Sequence, residues 1–78
     1  MPFITIDGYK FGFFSSDCDE PPHVHVLKAE HKAKIWLTPV ELAWNRSYNT
    51  REMDHILKLT QENRRRLLEM WHEHCNQA

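Results

Sequence analysis

His23 and His25, two residues apart in the run Pro21-Pro22-His23-Val24-His25-Val26, are the side chains of this sequence best suited to chemistry. Imidazoles titrate near neutral pH, ligate transition metals and shuttle protons. In an extended segment side chains alternate, so both histidines stand on one surface while Val24 and Val26 face the other. Strand rise separates the two by about 7 Å, close enough to share a metal, a phosphate or a proton relay. The same alternation suits two polar residues on the wet face of a half-buried sheet, and the pattern alone leaves both readings open.

Three further residues complete the candidate set. Lys34 and Trp36 belong to the strand expected to return beside the histidines, and a cation, an indole and two imidazoles together form a surface for an anion or phosphate. Arg64 lies within about 20° of the centre of an apolar helical stripe, between Leu57 and Leu68. It either snorkels past the sheet edge, pairs with a buried acid such as Asp17, or meets an anionic ligand, and the last is favoured here. Arg65 and Arg66 point outward.

The elements that position these residues are legible in outline. Ile4 and Ile6 lead into Asp7-Gly8, and Tyr9, Phe11 and Phe13 follow. Asp-Gly between alternating hydrophobics signals a two-residue hairpin pairing Ile6 with Tyr9 and Ile4 with Phe11. Phe3 and Phe14 fall on the reverse face. Ser15 to Pro22 is a polar loop whose prolines force an extended entry into a strand of about residues 23–28. A turn near Ala29-Glu30-His31 returns the chain through residues 32–37. An even-length loop there puts His23, His25, Leu27, Lys32, Lys34 and Trp36 on one face, whereas an odd one breaks that arrangement. Thr38-Pro39-Val40-Glu41 has the pattern of a capping box with proline at the first helical position, which predicts a short helix fading near Asn45-Arg46-Ser47. Asn49-Thr50-Arg51-Glu52 repeats the signal and opens a helix running to about His74. Met53, Ile56, Leu57, Thr60, Leu67, Leu68, Trp71 and Cys75 form its apolar stripe. The expected fold is α+β: a single domain over residues 1–78, with a four-stranded antiparallel meander of two β-hairpins, then a short helix and a long C-terminal helix packed on one sheet face.

Composition excludes several classes. Ten Lys and Arg against eleven Asp and Glu give a net charge of −1, without the basic excess of a non-specific nucleic-acid binder, so any such contact needs a local patch. Cys18 and Cys75 lie far apart and do not read as a disulfide scaffold. The N-terminus lacks a cationic region followed by a long apolar run, and no stretch approaches the roughly 20 apolar residues of a membrane span, so a reducing cytoplasm is expected. Seventy-eight residues is near the lower limit for a core acting alone, which favours a partner or self-association.

Asp7-Gly8-Tyr9-Lys10-Phe11, Glu20-Pro-Pro-His-Val-His-Val26, Ala33-Lys34-Ile35-Trp36-Leu37, Pro39-Val40-Glu41-Leu42-Ala43, Arg51-Glu52-Met53 and Leu67-Leu68-Glu69-Met70-Trp71-His72 occur in the order seen in a small bacterial family. The chain resembles the domain of unknown function 4160 family over nearly its whole length. That resemblance implies a small partner protein of the domain of unknown function 2442 family, encoded nearby, in a toxin–antitoxin-like pair. It brings no reaction. Where the family pattern often places a histidine after the Asp matching Asp17, this chain has Cys18. A metal would accept that exchange, whereas acid–base catalysis would not.

The reading at this level is a small cytoplasmic protein acting mainly by binding a partner protein or a second copy of itself. No membrane role, cofactor or assigned metal comes with it. One alternative is a metal-independent ribonuclease with His23 and His25 as general base and acid and Lys34 and Arg64 on the phosphate. Another is a metal-binding protein using His23, His25 and Cys18 or Asp17. Leu27 stands where histidine-triad nucleotide hydrolases carry a third histidine, which excludes that family.

Overall fold

A computed structural model describes residues 3–75. Five antiparallel strands pair in chain order: β1 (Phe3–Ile6), β2 (Tyr9–Gly12), β3 (His23–Lys28), β4 (His31–Leu37) and β5 (Val40–Arg46). A 3₁₀ turn (Ser15–Asp19) joins β2 to β3, and two helices follow, α1 (Thr50–Glu62) and α2 (Arg64–Cys75). The class is α+β as expected, but the meander has five strands rather than four.

Both predicted hairpins close as the pattern requires. Asp7 and Gly8 take positive φ (52° and 86°), and Ile6 faces Tyr9 while Ile4 faces Phe11. Between β3 and β4 the loop is Ala29-Glu30, an even length, so His23 pairs with Trp36 and His25 with Lys34. One face of the sheet thus presents Tyr9, Phe11, Val24, Val26, Ala33, Ile35 and Leu37 to Met53, Ile56 and Leu67 of the helices. Each fully buried aliphatic or aromatic side chain there contributes about 1.5–3 kcal/mol.

The short helix predicted after Thr38-Pro39 is instead strand β5. Thr38-Pro39 is a two-residue turn with Leu37 facing Val40, so the capping-box pattern matches by coincidence. A bulge hides the strand's period: Ile35 faces Leu42 but Lys34 faces Trp44, leaving Ala43 as the extra residue. Val40 and Leu42 therefore lie with the core side, whereas Trp44 and Arg46 emerge on the opposite, open face.

The long C-terminal helix is two helices. Asn49 caps α1 as expected, its side chain accepting from Glu52 N–H at 2.8 Å. At Asn63 (φ −108°, ψ 12°) the helix breaks without Gly or Pro. Both the backbone N–H and the side-chain amide of Asn63 donate to Leu59 O (3.0 and 2.9 Å), so the side chain competes with the helical ladder. The stripe survives the break, with Met53, Ile56, Thr60, Leu67 and Trp71 buried.

The cysteines also depart from expectation. Cys18 and Cys75 form a disulfide joining the 3₁₀ turn to the end of α2 across 57 positions of sequence. Closing a loop of that length restricts the unfolded chain by about 4 kcal/mol on the chain-entropy argument, a large addition for so small a core. No helix among the described residues is long and apolar enough to cross a membrane.

Tyr48 fastens the β5–α1 connection beneath the sheet. Its buried hydroxyl donates to Val26 O at 3.1 Å, and burial, aided by Tyr9 and Glu52, pushes its pKa up to about 12. A folded pKa above the unfolded value of about 10 means that this stabilisation is complete below pH 10 and lost as pH rises through 12. Denaturant melts at pH 8 and 11 should show Tyr48→Phe losing about 1 kcal/mol at pH 8, yet falling less than wild type between the two. Tyr9 is common to both proteins and cancels. Identical pH dependence would contradict the assignment.

Candidate metal centre

Pro21 and Pro22 have no N–H to donate, so their carbonyls do the work at the start of β3. Pro22 O accepts from Leu37 N–H (3.0 Å), and Pro21 O accepts from His23 Nδ1 (2.9 Å). A carbonyl can only accept, so Nδ1 carries the hydrogen; in the neutral ring, Nε2 then presents a lone pair. That nitrogen is directed inward. His23 is completely buried although it belongs to the open face, because the rings of Trp71 (5.0 Å), His25 (5.2 Å) and Trp36 (5.6 Å) pack around it.

The 3₁₀ turn brings a carboxylate to the same point. Asp17 N–H donates to Phe14 O at 3.0 Å, and Phe14 N–H donates back to Asp17 Oδ2 at 2.7 Å, which fixes the carboxylate's direction. Oδ2 then lies 3.4 Å from His23 Nε2 and 3.0 Å from His25 Nε2. Both Nε2 atoms are buried, and neither contact with the carboxylate meets hydrogen-bond geometry. The three donor atoms lie within 4.8 Å of one another, and the side chains of Asp17 and His25 are only 11% and 12% exposed.

The electrostatics favour ligand forms of these groups. Burial alone would raise the Asp17 carboxyl pKa, but the Phe14 N–H and the charges of His25 and His23 outweigh it and hold the group below its usual range. Burial pushes His25 down, with His23 and Lys34 acting the same way against the pull of Asp17. An ionised carboxylate beside a deprotonated imidazole is the state a cation binds.

The two carboxylate–imidazole distances agree with a shared ion. Two ligand atoms about 2.1 Å from a metal are about 3.0 Å apart at a right angle and about 3.4 Å apart at a tetrahedral angle. Those are the spacings of Asp17 Oδ2 from the two imidazoles. The outer hydrogen bonds follow the same logic, with one histidine donating its far N–H to a carbonyl and the carboxylate held by a backbone N–H.

A recess on the open face adjoins the cluster, lined by Phe14, His25, Leu27, Lys32, Trp44 and Arg46. A second, lined by Phe3, Thr5, Lys10, Phe14 and Leu27, continues it towards β1. His25 belongs both to the cluster and to the wall of this trough.

The other candidate residues fall in different places. Lys34 faces His25 but pairs with Glu20, and its ammonium sits 4.6 Å from the Trp36 ring centre. Arg64 is further away. Its Nε donates to Leu37 O (2.5 Å) and its Nη2 to Thr38 Oγ1 (3.2 Å), so it fastens α2 to the end of β4 rather than reaching the recess. Cys18 is bonded to Cys75 and offers no free thiolate beside Asp17. A third imidazole nitrogen, His74 Nε2, is likewise buried without a partner, in a ring stacked 6.1 Å from Phe13.

Trp44 and Arg46 escaped the sequence reading because the bulge scrambled their alternation. Asp17 entered it as one of two optional third ligands and as a possible partner for Arg64. The Asp17 signal lay in its spacing from Phe14, which permits the reciprocal turn described above.

Together these features define a small α+β protein with a carboxylate–imidazole cluster at the edge of an aromatic, basic trough. The family described as Domain of unknown function (DUF4160) matches residues 8–72, most of the chain, and the protein belongs to that family. No curated protein and no solved structure matches it.

Proposed function

We propose that the protein binds a divalent first-row transition metal through Asp17, His23 and His25 and presents it to a ligand on the open sheet face. The reading is carried by one observation: two buried imidazole nitrogens, neither hydrogen-bonded, directed at a single carboxylate. Two imidazoles and one carboxylate suit zinc or ferrous iron rather than magnesium or calcium, which prefer all-oxygen shells. Three protein ligands leave a coordination position open, the pattern of metal sites that polarise a substrate or activate water rather than brace a fold. A metal-free ribonuclease has less support, since the general base and acid must both reach substrate and His23 has no exposed surface.

Titrating chelator-treated protein with Zn²⁺ in a calorimeter should give one site per chain, with Mg²⁺ producing no comparable heat. Asp17→Asn and His25→Ala should each weaken zinc binding by tenfold or more while circular dichroism shows the fold retained. Wild type that binds no zinc, or folded variants that bind it equally well, would overturn the proposal.

A protein partner is the second reading, favoured by β5. This edge strand carries the exposed large hydrophobics Leu42 (43% exposed) and Trp44 (39%) beside an unpaired ladder. A small domain of unknown function 2442 protein encoded nearby, in a toxin–antitoxin-like pair, is the occupant we propose. Co-expression followed by affinity purification should recover the two together from wild type and lose the partner in Leu42→Glu, which leaves the trough untouched. A partner that never co-purifies would remove this reading.

A further inference from the structure

The open face is ordered in two rows that run across all five strands. Register aligns Thr5, Lys10, Leu27, Lys32 and Arg46 in one row and Phe3, Gly12, His25, Lys34 and Trp44 in the next. The first is a row of cations. Lys10, Lys32 and Arg46 are exposed, and among the described residues none forms an ion pair. The second row is aromatic at both ends. Phe3 packs edge-on against Phe14 at 5.5 Å, Phe14 against His25 at 4.9 Å, and Trp44 lies 6.2 Å from the His25 ring. Gly12, without a side chain, sits in the row between Phe3 and His25. Strand spacing puts Lys10 and Arg46 about 14 Å apart, room for more than one phosphate along the row.

We infer that this trough binds a single-stranded polynucleotide, its phosphates along Lys10, Lys32 and Arg46 and its bases against Trp44 and Phe14. Cations that track a backbone beside aromatic faces that accept unstacked bases are the two requirements of single-strand binding, and a duplex offers no free base faces to meet them. The net charge of −1 is no obstacle, because four of the ten Lys and Arg (Lys10, Lys32, Lys34 and Arg46) share this face and Glu20 is already paired with Lys34. The guanidinium of Arg46 lies 5.6 Å from the Trp44 ring centre, so cation and stacking surface form one unit. The inference deepens the metal reading by naming the ligand that His25 and a bound ion would face. It rests on that reading only for the role of the ion, since the row of cations and the stacking faces need none.

Fluorescence anisotropy with labelled 12-nucleotide oligouridylate and oligothymidylate tests it, using zinc-loaded and chelator-treated full-length protein. Both oligonucleotides, or the ribo form alone, should bind, with a log affinity falling against log salt at a slope of about −2, as expected for three phosphate contacts on a single strand. Trp44→Ala should weaken binding by about tenfold. Lys32→Glu with Arg46→Glu should weaken it at least as much and flatten the salt slope. These are surface positions, and circular dichroism verifies that the variants fold. Absence of binding at low salt, equal binding of a duplex, or indifference to both sets of substitutions would overturn the inference. So would equal capture of a polyglutamate peptide through the same residues, which would mark the face as a dock for an acidic protein. The metal reading fails or stands separately. Asp17→Asn that loses zinc but keeps the oligonucleotide supports the trough, and wild type that binds zinc but no oligonucleotide overturns the trough alone.

Discussion

The approach of two imidazoles to one carboxylate inside a chain of 78 residues is the constraint around which the rest is arranged. His23 cannot turn away, because its Nδ1 is committed to Pro21 O and its ring is enclosed by Trp36 and Trp71. Asp17 cannot swing out either, because the Phe14 N–H holds its oxygen and the adjacent Cys18 is bonded to α2. The 3₁₀ turn, the proline pair, the end of α2 and the disulfide thus converge on one point. An arrangement with so many independent fastenings is preorganised, and preorganisation is what a metal site with few ligands needs.

The cluster has an energetic cost. A buried polar atom without a hydrogen bond destabilises a fold by about 1–3 kcal/mol, and here two such nitrogens face a carboxylate that has only one firm donor. Apolar residues of similar shape would have filled the same volume more cheaply. A small core has little stability to spare, and the disulfide offsets some of the deficit from the unfolded side. A divalent cation removes the cost directly, by giving both imidazole nitrogens the partner they lack and the carboxylate a second one. On this account the polar cluster belongs to function, and the apolar face of the sheet, packed on α1 and α2, carries the fold.

Much of this was legible in the sequence, for identifiable reasons. Asp7-Gly8 fixes its hairpin by backbone conformation alone, whereas the shared face of His23, His25, Lys34 and Trp36 depended on an even loop after β3, which the structure supplies at Ala29-Glu30. Errors arose where one local signal had two structural meanings. Thr38-Pro39-Val40-Glu41 fits a helix cap and a hairpin turn equally well, and the Ala43 bulge erased the alternation that would have decided. The break at Asn63 has no Gly or Pro to announce it and depends on a side-chain amide reaching Leu59 O. Asp17 and the Cys18–Cys75 bond are products of tertiary structure: only the folding of α2 back over the 3₁₀ turn brings them into place. Arg64 was correctly seen as out of character in an apolar stripe, but its partner is a strand-end carbonyl, which no side-chain pattern reveals.

X-ray absorption at the metal edge of zinc-loaded protein tests the central claim most directly. The account predicts a first shell of two imidazole nitrogens and oxygen from one carboxylate, each about 2.0–2.2 Å from the ion, completed by water. It also predicts that the imidazole scattering signature falls by half in His25→Ala loaded under the same conditions. A shell of oxygen alone, sulfur in the shell, or a spectrum that His25→Ala leaves unchanged would contradict it.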